Sequence, residues 1–189
     1  MIKEIIKQLI IYSKIIFSRI NSSTYWSIHS SGVLHHFKNL NKILIEFKRI
    51  LKPDGQMNII VYNYFSIWNH LYTAYINQIE KRKYSKMSLD EAFSKLTDGK
   101  FTPISKNFKP DEFISMLNKF GFEGNLKGVS ISLTEMMYLP KRHIALKSPL
   151  LKPEQRDFLS SLEFNKKGYP LYKSEVAGIN ACYNFKNKI

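Results

Sequence analysis

Apolar residues recur at a helical spacing in Leu40, Ile43, Leu44, Phe47 and Leu51, which predicts a helix over about Asn39 to Leu51 with one buried face. Lys42 and Glu46 fall one turn apart on its outer side, and Pro53 with Gly55 stops it. The run Met57 to Tyr62 that follows is apolar on both sides of its alternation, the pattern of a strand covered on both faces. A polar break, Asn21 to Thr24, precedes a short strand at about Tyr25 to Ser30. Strand, helix and strand in that order make one right-handed βαβ unit with two parallel strands.

Ahead of this unit, Ile2, Ile5, Ile6, Leu9, Tyr12, Ile15 and Ile16 recur on one face, so residues 1–22 are expected to be an amphipathic helix. Lys3, Lys7, Lys14 and Arg19 interrupt the run. No uncharged stretch reaches the roughly 20 residues of a membrane span, and no small-residue cleavage site follows. Packing against the domain or a partner, or lying on an anionic membrane surface, both fit such a helix.

Downstream the pattern predicts helices at about Ile67 to Arg82 and Ser88 to Leu96, then a loop from Thr97 to Pro103. Pro110, Asp111 and Glu112 favour a helix start, Phe113, Met116, Leu117 and Phe120 form its stripe, and Gly121 ends it. A strand near Asn125 to Leu133, helical segments at about Pro140 to Leu146 and Pro153 to Leu162, and a last strand from Ala177 to Phe185 complete the chain.

Composition changes this picture little. With 44% hydrophobic and 14% aromatic residues among 189, the chain has the material for a sizeable core and is not a disordered sequence. Twenty-nine basic against fifteen acidic residues leave a net charge of +14, a balance that suits nucleic acid, anionic lipid or an acidic partner. The lysines are scattered, however, with no lysine run longer than Lys166-Lys167. A compositional habit explains that better than a built nucleic-acid surface. The single cysteine, Cys182, excludes an internal disulfide and a cysteine-rich metal site, and fits a reducing, cytoplasmic setting.

The wording of the central unit is familial. The stretch Gly32-Val33-Leu34-His35-His36, then Glu46-Phe47-Lys48-Arg49-Ile50-Leu51-Lys52-Pro53-Asp54-Gly55, then an apolar strand ending in Tyr62-Asn63-Tyr64, resembles the fourth and fifth strands of class I S-adenosylmethionine (SAM)-dependent methyltransferases. Pro110 to Phe113 with Gly121-Phe122, and the segments Thr97 to Gly99, Glu135 to Pro140 and Gly168 to Tyr183, resemble the same family. The resemblance implies an α/β fold: a partial Rossmann-like sheet, the rear half of the catalytic domain, over residues 23–189 with helical accessory segments including 65–108. It also implies SAM as cofactor and an unidentified methyl acceptor as partner. The front half's marks are missing. Residues 1–29 hold no glycine and only one acid, Glu4, where a glycine-rich turn and a ribose-binding acid are expected.

On that resemblance Ser30, Ser31 and Gly32 would line the cofactor, and His36 would act as base, since an unperturbed imidazole titrates near neutrality. His35, Tyr62, Asn63, Asp98 and Glu135 would face the acceptor. Each has a plainer reading beside it: core or helix-entry histidines, strand-end capping by Asn63, an Asp-Gly turn at Asp98, a solvated helix face at Glu135. A metal site from His29, His35 and His36 is not expected, because sequence neighbours do not readily all face one ion. Three function classes stay open: a SAM-dependent methyltransferase, a non-catalytic remnant or subunit needing another chain for the SAM site, and a basic RNA-binding or membrane-surface module. If the family's first strand is missing, the strand at Tyr25 to Ser30 leaves an edge suited to self-association or a complementing chain.

Overall fold

The computed structural model describes residues 20–99 and 104–188. The helix expected within residues 1–22 lies outside the described residues up to Arg19, as does the end of the loop expected at Thr97 to Pro103.

The predicted βαβ unit is present. Strand β1 (Tyr25–Ser31), helix α1 (Leu40–Ile50) and strand β2 (Leu51–Asn63) follow one another, and β1 pairs with β2 in parallel, from Ser27 opposite Gln56 to Ser31 opposite Ile60. Asn39 caps α1, its side chain accepting from the Lys42 N–H, and Leu40, Leu44, Phe47 and Ile50 form the buried stripe. Glu46 turns to Arg49 rather than Lys42, with Arg49 Nη2 donating to its carboxylate at 2.8 Å. The Leu51 to Gly55 stretch does not leave the sheet as a separate turn. It enters β2 early, with Leu51 opposite Tyr25, and the register then shifts so that its proline, aspartate and glycine bulge out. Asp54 there takes a positive φ of 60°.

Beyond this pair the sheet continues with two antiparallel strands, in the order β1, β2, β8 (Asn180–Asn187), β4 (Phe122–Ser130). The two-residue strand β3 (Asn107–Phe108) pairs in parallel with Tyr62 and Asn63. Since β8 also pairs with Tyr62, β3 lies on the side of β2 that β1 has just left.

Among the described residues one face of this sheet is covered throughout and the other only near the end of β2, where His35 and Phe93 meet Tyr62, which corrects the expectation for β2. Met57, Ile59 and Val61 are buried with Ala181, Tyr183 and Phe185 of β8 beneath α1 and helix α4 (Pro110–Asn118), whose Phe113 and Leu117 complete the core. On the other face Asn58 is exposed and Ile60 and Tyr62 are half-buried. Asn184 donates to Asn58 across that face at 2.9 Å. The signal was legible, since polar residues stand at two of the three even positions in Met57 to Tyr62, and alternation of this kind marks a half-covered strand.

A second core joins the accessory elements. Helix α2 (Trp68–Glu80) is wound as a π-helix and is buried nearly all round. Its Leu71, Tyr75 and Ile76 pack with Ala145, Phe158 and Leu159 from helices α6 (Arg142–Lys147) and α7 (Pro153–Ser160). Helix α3 (Leu89–Thr97) starts at a reciprocal Ser88/Glu91 capping box, and α5 (Leu133–Tyr138) at a similar Ser132/Glu135 box. A small three-stranded sheet, β5 (Glu163–Phe164), β6 (Pro170–Tyr172) and β7 (Glu175–Val176), was not foreseen. Its strands of two or three residues are too short to show a period.

Candidate functional site

Parallel strands direct their carboxyl ends to one edge, and ligands of open α/β sheets bind there. At that edge β1 ends with Ser30 buried and Ser31 and Gly32 exposed. Gly32 continues the ladder, its N–H donating to the Ile60 carbonyl at 3.1 Å. It then turns the chain at a φ of +69°, with open space where a Cβ would stand. Substitution there meets a backbone penalty and no clash, so the glycine serves the turn and leaves room beside it.

The chain next makes one 3-10 turn, Leu34–His36. Leu34 anchors it in the sheet core. His35 is fully buried and lies flat against the Tyr62 ring, centroids 3.8 Å apart. His36 meets it edge-on at 4.2 Å and holds the Ile104 carbonyl through Nδ1 at 2.9 Å. A carbonyl only accepts, so Nδ1 carries the proton and the lone pair rests on Nε2. Tyr62, at the end of β2, donates its hydroxyl to Asp98 Oδ1 at 2.8 Å. Ser105 donates to the other carboxylate oxygen at 2.5 Å. The backbone closes the same junction, with the Lys106 N–H donating to the His35 carbonyl at 3.0 Å.

Burial, reinforced by His36, lowers the His35 pKa from its ordinary value to about 3, so its ring is neutral at physiological pH. Burial and the Asp98 carboxylate push the Tyr62 hydroxyl upward, which keeps it a proton donor to that carboxylate. The result is a cluster of two imidazoles, a phenol, a carboxylate and a hydroxyl, drawn from the β1 exit, the β2 end, the α3 end and the segment before β3. Beside it a hollow of about 590 Å³ opens between α3 and the 104–107 segment, lined by Glu91, Ser94, Ile104 and Ser105 among others.

Two of the residues expected to face an acceptor are spent on the fold. Asn63 is buried, its amide nitrogen donating to the Phe65 and Gly178 carbonyls and its oxygen accepting from the Phe65 N–H. That is the strand-end capping role. Glu135 is neither at a solvated helix face nor open to a ligand. It is fully buried and accepts from the N–H groups of Trp68, Ser132 and Ile179 and from the Ser132 hydroxyl. Burial raises its pKa, and those same hydrogen bonds oppose the shift. His29 is exposed on the uncovered face and Cys182 is half-buried in β8.

Ser105 and Ile104 were not singled out from the sequence. Nothing local marks them, since one contributes a hydroxyl and the other a backbone carbonyl from a loop.

Residues 20–59, which run from the entry of β1 through the middle of β2, match the family described as methyltransferase domain. No curated protein matches the chain. Among solved structures, the YcgJ protein from Bacillus subtilis is similar at 11% identity over 90% of this chain and 67% of that one, with a TM-score of 0.46. A SAM-dependent methyltransferase from Archaeoglobus fulgidus shares 13% identity over 90% of this chain and 63% of its own, at a TM-score of 0.47. One from Methanosarcina mazei shares 9% over 90% and 63%, at 0.43. The chain thus spans roughly two thirds of the length of each.

Proposed function

We propose, from the premise that residues 20–59 are methyltransferase-domain sequence, that this chain supplies the rear wall of a SAM-dependent methyl-transfer site. The observation that carries the reading is the parallel β1–β2 pair whose exposed Ser31–Gly32 end runs directly into the turn bearing His35 and His36. A Cβ at Gly32 would meet nothing within 4 Å, so the backbone there is open to a ligand, on this reading SAM. Residues 1–29 hold no glycine and one acid, Glu4, so on the same reading one side of the donor pocket comes from the β1 exit and the rest is assigned to a second surface.

SAM supplies an activated methyl group, and the protein's contribution is placement together with proton removal from the acceptor. His36, its ring fixed through Nδ1 by the Ile104 carbonyl, suits the second task through Nε2. Tyr62 and Asp98 form the polar wall against which an acceptor orients, and the hollow beside Ser105 gives it room. The expected result of calorimetry with SAM on the purified chain is no saturable binding in the low micromolar range. Photocrosslinking with radiolabelled SAM at millimolar concentration should then label the peptide containing Ser30, Ser31 and Gly32. Labelling confined to other peptides overturns the donor-site assignment. A low-micromolar site with one SAM per chain overturns the need for a second surface.

The subunit reading has its own support. Among the described residues β1 ends the main sheet, and it presents Trp26 66% exposed beside Tyr25. An unpaired edge with exposed aromatics suits a complementing chain or a second copy.

A further inference from the structure

We infer that His35, His36 and Asp98 form a binding site for one divalent first-row transition-metal ion of the zinc or ferrous class. The site draws on the same His36 and Asp98 side chains as the methyl-transfer reading, and a bound ion would take the histidine lone pair which that reading gives to proton removal, so metal titration tests it independently of SAM binding. Its basis is that one potential ligand atom from each of the three residues lies within 4.8 Å of the others. The sequence spacing had given no expectation of a metal site. His29, the third neighbour in the chain, is exposed on the open sheet face, and the fold substitutes a carboxylate brought in by the end of α3.

An independent observation is that both ring nitrogens of His35 are buried without a hydrogen-bond partner, in a side chain that is 0% exposed. Buried polar atoms in folded proteins are nearly always satisfied; the His70 ring is unpartnered as well, but His35 is the one with a second imidazole and a carboxylate within reach. Cation binding meets the need because a neutral imidazole offers a lone pair. The ring is held for it, stacked on Tyr62 and edge-on to His36.

The surroundings of the other two ligands point the same way. A metal-binding histidine characteristically donates its other ring N–H to a carbonyl or carboxylate, which fixes the ring and the tautomer. His36 has that arrangement with Ile104. Ligating carboxylates are likewise oriented by hydrogen bonds, and Asp98 accepts from Tyr62 on one oxygen and Ser105 on the other. Two imidazoles and one carboxylate leave open positions, a set used by zinc and non-haem iron sites. With metal–ligand bonds of about 2.0 to 2.2 Å, the ligand atoms must draw in to roughly 3.3 Å from one another. Asp98 sits at the end of α3, where the helix has given way to loop, so a shift of that size is accessible.

The test uses the full chain, freed of metal by chelation, titrated with Co²⁺ and Zn²⁺ in a non-chelating buffer. Co²⁺ should develop visible absorption bands of a nitrogen- and oxygen-ligated ion, saturating at one per chain, and Zn²⁺ should displace it. His35→Phe keeps the stacking on Tyr62 and Asp98→Asn keeps the shape of the side chain. Each should weaken binding at least tenfold, while His29→Gln and His143→Gln, at exposed histidines, leave it unchanged. Circular dichroism establishes that each variant is folded, and Asp98→Asn carries the test should His35→Phe not fold. Absence of saturable Co²⁺ binding overturns the site. So does binding that survives Asp98→Asn or disappears in the exposed-histidine variants.

Discussion

Glu135 shows how far one side chain reaches. Its carboxylate joins the start of α2 at Trp68, the start of α5 at Ser132 and the approach to β8 at Ile179. Removing it orphans several buried donors at a cost of about 1 to 3 kcal/mol each. Glu135→Ala should therefore lower the urea midpoint of unfolding severely, and Glu135→Gln, whose amide turns a donor toward donors, should lower it too. An unchanged midpoint in Glu135→Ala would contradict the junction role. Gly178 is required for a different reason. A Cβ there would stand 2.2 Å from the Ser130 carbonyl oxygen, so Gly178→Ala must displace backbone, and loss of stability measured by thermal unfolding is the expected outcome. His70 is stacked on Phe158 at 4.2 Å and faces Tyr64 edge-on, while the Tyr64 hydroxyl interacts with Glu154. Burial lowers the His70 pKa to about 3, and the Tyr64 backbone opposes the shift. The unfolded chain binds this proton near 6.5 and the native chain does not until near 3. Stability is complete above 6.5 and is lost as pH falls through that window, at up to about 1.4 kcal/mol per pH unit. His70→Phe should reduce the slope of the unfolding free energy between pH 6 and 4 and leave the part due to His35, and an unaltered slope would show that the native His70 ring binds its proton as readily as the unfolded one.

At the scale of elements, α1 carries the sheet core and is held at its far end by Lys48. The Lys48 ammonium donates to the Gly121 carbonyl at 3.0 Å, to Asn187 Oδ1 at 2.5 Å and to the Lys188 carbonyl at 2.6 Å. One lysine therefore ties the helix to the start of β4 and the end of β8, and its cationic head suits a helix C-terminus. Leu44, fully buried in the centre of the stripe, should cost about 2 to 5 kcal/mol when truncated to alanine. Denaturant titration of Leu44→Ala checks this, and a loss below 1 kcal/mol would place α1 outside the core. The starts of α1, α3 and α4 were readable, because Asn39 and Ser88 suit the cap position and Pro110 the first turn. The π-winding of α2 was not. A helical hydrophobic pattern predicts a helix and leaves its hydrogen-bond spacing to the packing around it.

At the scale of the whole molecule, a second helical core and a small sheet stand beside a main sheet that, among the described residues, is bounded at β1 by an edge with no neighbour. That edge and its exposed Trp26 lead to the expectation of self-association, read as a concentration-dependent mass in light scattering. Trp26→Lys places a charge on the edge and should reduce it. A stable monomer at all concentrations would show that the edge is already satisfied.

Local chemistry determined the parallel βαβ unit, because the stripe of α1 and the breakers Pro53 and Gly55 act over a few residues. The family resemblance, carried by that unit and the residues around it, marked His35, His36, Tyr62 and Asp98 as residues of interest. Tertiary structure alone decided which of the marked residues keep free chemistry. Asn63 and Glu135 are consumed by backbone groups from Gly178 and Ile179, and Asp98 is joined to Tyr62 and Ser105. Such partners are set by how β8, α3 and the segment before β3 meet the end of β2. A hydrogen bond between distant segments leaves no period, spacing or composition in the chain that makes it.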